Sequence, residues 1–116
     1  MRRSGSLLAA LLSLLRLRPL APDIGKGLPP DYAEGTKAFD ARVKARFPPG
    51  TSEEALRAEL KRQGFERLPD HPDPDGLRCA TFCRNELIFK TLWSVRWRAN
   101  GGRVGEIFGV YGCVAP

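Results

Sequence analysis

The chain has 116 residues, 28% of them charged, and a formal net charge of +6. Such a length holds one domain and little more. Four of the nineteen basic residues (Arg2, Arg3, Arg16, Arg18) fall in the first 22, and the other fifteen face thirteen acidic residues. The remainder is near neutral, an ordinary solvated surface, so no nucleic-acid partner is expected.

Residues 1–22 read as an export signal or membrane leader. Arg2 and Arg3 precede Ser6–Leu15, ten residues without a charge. A basic start feeding a short apolar core is the signature of export. The run is shorter than a membrane span, which takes about 20 apolar residues. Arg16 and Arg18 close it, and Leu20-Ala21-Pro22 is a weak cleavage site. Cleavage leaves a periplasmic or secreted protein. Retention makes the leader a tether, the only membrane contact expected. An amphipathic helix, or a start codon placed upstream of the true one, is the competing reading.

Residues 23–35, rich in proline and glycine, read as a linker, and 36–116 as a small α+β domain. A helix is expected over Thr36–Arg46, with Phe39, Val43 and Phe47 on one face and Pro48 beyond its end. Thr51-Ser52-Glu53-Glu54 reads as a capping box with Thr51 as the cap. Leu56 and Leu60 form the buried stripe of this second helix, and Glu53 and Arg57 pair on its exposed side. Gly64 supplies a left-handed stop, after which Phe65 packs back.

Beyond a polar loop, Leu68–Gly76, the pattern turns to strands: Leu77–Arg84, Leu92–Ala99 and Arg103–Gly112. Asn100-Gly101-Gly102 joins the last two as a hairpin. A three-residue loop pairs Ala99 with Arg103, Trp97 with Gly105, Val95 with Ile107 and Trp93 with Gly109. Both tryptophans and Tyr111 then share one apolar face, and Arg96 lies opposite Glu106. The expected fold is α+β: two helices packed on one face of a three-stranded antiparallel sheet, in the order α-α-β-β-β.

The second sheet face carries Leu92, Phe108 and Val110 beside Arg96 and Arg98, and two helices cannot cover both faces. Either the amino-terminal segment folds over it or a partner does, which makes these five residues the candidate partner-binding face. Of the three cysteines, Cys83 and Cys113 are expected to form a disulfide, worth ~3 kcal/mol for a loop of about thirty residues. Cys79 with Cys113, or no bond at all, remains open. A zinc or thiol site built from Cys79, Cys83, Cys113 and His71 is the alternative, although four-residue strand spacing suits zinc poorly. No phosphate loop, nucleophile elbow or carboxylate pair is present, so neither enzymatic activity nor a cofactor is expected.

The element order, with Phe47-Pro48-Pro49-Gly50-Thr51 opening the second helix, Gly64-Phe65 closing it and a Trp93-Ser94-Val95-Arg96-Trp97 strand, resembles small exported proteobacterial proteins of unknown function. The architecture is similar to the BamE (SmpA/OmlA) lipoproteins and the beta-lactamase-inhibitor-like fold. The resemblance implies two helices on one face of an antiparallel sheet. It also implies a binding or scaffolding role with no catalytic residues to carry over; the leader and the extra apolar face make another envelope protein the expected partner.

Overall fold

A computed structural model of the chain describes residues 20–67 and 76–114. Residues 1–19, most of the segment expected to be a leader, and the loop carrying His71 lie outside the described residues. Helix α1 (Tyr32–Arg46) and helix α2 (Glu53–Arg62) precede the strands. A two-residue strand β1 (Glu66–Arg67) comes before the long β2 (Arg78–Asn85), β3 (Lys90–Asn100) and β4 (Arg103–Val114). The sheet order is β1-β2-β3-β4, every pairing antiparallel. The expected α-α-β-β-β order therefore holds, with β1 added at the edge beside β2.

Helix α1 starts four residues earlier than its apolar spacing suggests, because Asp31 caps it. The Asp31 carboxylate accepts from the amides of Ala33 (2.8 Å) and Glu34 (3.2 Å), two donors that the first turn leaves orphaned. Phe39 and Val43 are fully buried and Phe47 nearly so. Asp40 and Thr36 bind the helix to β4: Asp40 accepts from the Gly109 amide (2.9 Å) and the Thr36 hydroxyl donates to the Tyr111 carbonyl (2.6 Å). In α2 the cap is Ser52 rather than Thr51. The Ser52 hydroxyl accepts from the Ala55 amide, while Thr51 donates to the Pro48 carbonyl. The helix end matches expectation: Gly64 has φ +99° and the Phe65 amide reaches the Leu60 carbonyl at 3.0 Å, closing a Schellman motif.

The expected linker is instead part of the domain. Pro22 and Gly25 are buried around a short 3-10 turn, Asp23–Gly25. A Cβ at Gly25 would meet Trp93 Nε1 at 2.5 Å. The Ile24 amide donates to Gln63 Oε1 at 2.9 Å, and the Arg42 guanidinium reaches the Ile24 carbonyl. Proline and glycine serve here to bring the backbone close to an aromatic ring, not to loosen it.

The β3–β4 hairpin differs in register from the sequence expectation. Asn100 pairs with Arg103 across a two-residue turn, Gly101-Gly102, with φ +60° and +76°, the mirror-image turn that suits strand twist. A bulge between Arg98 and Ala99 leaves Gly105 out of the pairing. Trp97 therefore faces Ile107, Val95 faces Gly109, Trp93 faces Tyr111, and Glu106 pairs with Arg98 instead of Arg96. Relative to the expected register the partners below the bulge move by two. An even shift keeps every side chain on its face, so the expected core face survives the error. Phe82, Trp93 and Trp97 pack there with Phe39, Val43, Leu56 and Leu60 in one cluster.

Candidate binding surface

Strand β3 separates the two faces by alternation. Thr91, Trp93, Val95 and Trp97 point to the helices and are buried. Leu92, Ser94, Arg96 and Arg98 take the other face. Their partners there are Cys83, Thr81 and Cys79 on β2, and Gly112, Val110, Phe108 and Glu106 on β4. The five residues expected to share a face, Leu92, Arg96, Arg98, Phe108 and Val110, thus do so. Leu92 and Phe108 are half-buried, Val110 is 37% exposed and Arg96 is exposed. Residues 20–31 fold against Trp93, Gln63 and Arg42 on the helical side, which leaves this face uncovered among the described residues.

The middle of the face is small and polar. Ser94, 7% exposed, has its hydroxyl 3.2 Å from Cys79 Sγ, and Arg96 Nε donates to the same hydroxyl at 3.5 Å. Thr81 lies 3.6 Å from Cys79 Sγ on the other side. Around this centre stand Leu92, Phe108 and Val110, and the Arg98–Glu106 ion pair closes one end. The face thus offers partly exposed carbon beside the exposed Arg96 guanidinium.

The disulfide expected between Cys83 and Cys113 does not fit this sheet. Cys83 pairs with Leu92 on the open face, while Cys113 pairs with Thr91 on the helical face. The two strands flank β3, so their backbones stand about 10 Å apart, beyond the ~7 Å that a disulfide spans. All three cysteines are free thiols. Cys79 shares the open face with Cys83, so pairing it with Cys113 fails for the same reason. The three sulfurs cannot gather at one metal ion either. Among the described residues no group of three His, Cys, Asp or Glu is placed to hold one; His71 lies outside them.

Three features escaped the sequence reading. Glu53, expected on the solvent side of α2, is only 9% exposed. Its Oε2 accepts from Arg57 (3.0 Å), Trp97 Nε1 (2.8 Å) and Arg78. Burial pushes its carboxyl up, but the hydrogen bonds from Arg78 and Trp97, together with the charges of Arg57 and Arg78, outweigh that and hold it below its ordinary value. Beside this cluster an open groove of about 600 Å³ is lined by Leu60, Phe65, Ala80 and Trp97, with Arg57, Lys61 and Glu66 completing its walls.

The third feature is the β2–β3 hairpin tip. Glu86 and Phe89 close it through one backbone hydrogen bond of 2.7 Å, and Leu87 (100% exposed), Ile88 (68%) and Phe89 (39%) stand in solvent. Three successive apolar residues between strands, where polar turn formers normally sit, were the signal available in the sequence.

Comparison of the chain with protein-family models, with curated proteins and with solved structures yields no match. Among the described residues no helix is long and apolar enough to cross a membrane.

Proposed function

We propose that this chain is an exported, non-enzymatic binding or scaffolding domain of the bacterial cell envelope, and that another envelope protein seats on its open sheet face. The observation that carries the reading is that face itself. Leu92, Phe108 and Val110 keep carbon in solvent while residues 20–31, the segment expected to cover them, lie on the opposite side. Export rests on the basic, then apolar, leader alone, because the cysteines supply no disulfide to support it. The rival thiol or zinc reading loses Cys113 from its ligand set, since that residue turns to the helical face.

Two measurements test the proposal. A photo-crosslinking residue at Val110 in the native envelope should give one product of defined mass, and the same residue at exposed Glu54 should give none. Phe108→Glu should remove that product while the near-ultraviolet circular dichroism of Trp93 and Trp97 is unchanged. Unfolding by Phe108→Glu would show that the face is core, and the partner reading would fail. Amino-terminal sequencing of the native protein decides export separately: Met1 intact on soluble cytoplasmic protein would refute it.

A further inference from the structure

The large apolar side chains left in solvent are not scattered. Among the described residues they are Leu20, Tyr32, Leu87, Ile88, Phe89 and Val110. All but Val110 lie at one end of the molecule. Leu87, Ile88 and Phe89 form the β2–β3 tip. Leu20, 75% exposed, is held there by its carbonyl, which accepts from Arg84 at 3.2 Å. Tyr32 stacks on Tyr111 at 5.1 Å, one residue from the Gly112 that pairs with Leu92 near the same strand end. The opposite end of β3, ~33 Å away by strand rise, is the polar turn Asn100–Arg103.

The geometry points to a lipid surface as the partner of this end: we propose that the Leu87-Ile88-Phe89 tip inserts into the interfacial layer of a membrane. Three arguments favour lipid over a protein partner. The apolar carbon projects from the end of a four-residue loop, a shape that enters a fluid layer and offers a rigid partner little area. Exposed Lys90 flanks the tip on one side, Arg84 on the other is paired with Glu86 at 2.7 Å, and Tyr32 stands behind, placing a cation and an amphipathic ring where headgroups lie. Finally, the nineteen residues before Leu20 join the domain at this end, and they carry the uncharged run Ser6–Leu15 with Arg16 and Arg18 after it. A leader engaged with a membrane would press this tip against it. This contact is separate from the open sheet face and stands whether or not a protein binds there.

The test uses the full chain with vesicles of phosphatidylcholine and phosphatidylglycerol, the acyl chains brominated as a quencher. Trp93 and Trp97 are buried (2% and 0% exposed), out of reach of the quencher, so their emission is a constant background against which an added indole is read. Ile88→Trp should give emission that shifts to the blue and is quenched by the vesicles, while Asn100→Trp at the far turn should give neither. Leu87→Asp with Ile88→Asp should lower vesicle partitioning about tenfold or more, with the near-ultraviolet dichroism unchanged, and vesicles of phosphatidylcholine alone should bind more weakly. Equal quenching at both positions, or none at position 88, overturns the proposal. So does unchanged partitioning of the double variant, which would assign membrane binding to residues 1–19 alone.

Discussion

Glu53 and Trp97, forty-four residues apart in sequence, meet at 2.8 Å between helix α2 and strand β3. The carboxylate sits at the first turn of α2, where the helix dipole favours it, and joins Arg57 of its own helix to Arg78 of β2. Glu53→Ala should cost about 2–3 kcal/mol in urea unfolding. That is less than the 3–5 expected when a fully buried pair is broken, because both arginines keep about a third of their side chains in solvent. Glu54→Ala, the exposed neighbour, should stay within about 0.5 kcal/mol.

Acid should weaken the fold through Glu59. Hydrogen bonds from Arg62 and then Gln63 lower its carboxyl from 4.5 to about 2. A carboxyl depressed in the folded state contributes stability that is fully present above the unfolded value and is lost as pH falls towards the folded one. The window therefore runs from about pH 4.5 down to about 2. Gln63 also accepts from the Ile24 amide, so protonation loosens the grip on residues 20–31. The thermal midpoint should fall with pH across that window, and Glu59→Gln should flatten part of the slope.

The free thiols predict insensitivity to reductant. Unreduced protein should carry the mass of three thiols, and its thermal midpoint should not change with reducing agent. Cys113, exposed on β4, should be alkylated first. Cys79, set against the Ser94 hydroxyl, should follow more slowly. A mass two units lower, or a midpoint that drops on reduction, would mean a sheet register other than this one.

The element order, the α2 stop at Gly64 and the assignment of residues to sheet faces were legible in the sequence because each rests on local periodicity or on a φ that glycine alone takes easily. The face assignment survived a wrong hairpin register only because the displacement was even. What failed depends on partners far along the chain. Glu53 looks like a surface residue until Arg78 and Trp97 close over it. Residues 20–31 look like a linker until Trp93 is seen to need Gly25. Cys83 and Cys113 look like a pair until β3 is placed between them with its alternation counted. The start of α1 was missed for a local reason instead: Asp31 immediately before Tyr32-Ala33-Glu34 is a cap signal that the apolar spacing from Phe39 onward does not include.

Two glycines of β4 separate the covered face from the open one in a single experiment. Gly109 faces α1: a Cβ there would stand 2.8 Å from Phe39 Cδ2 and 3.0 Å from Val43 Cγ2, both on fully buried side chains that have no room to retreat. Gly112, on the open face opposite Leu92, would place its Cβ with nothing within 4 Å. Gly109→Ala should therefore destabilise by about 1–3 kcal/mol, as overpacking does. Gly112→Ala should be neutral or slightly stabilising, since alanine narrows the unfolded ensemble at a φ it accepts. Paired denaturation curves measure both. If Gly112→Ala proved as costly as Gly109→Ala, something would have to lie against the open face in the free protein, and the face could not receive a partner.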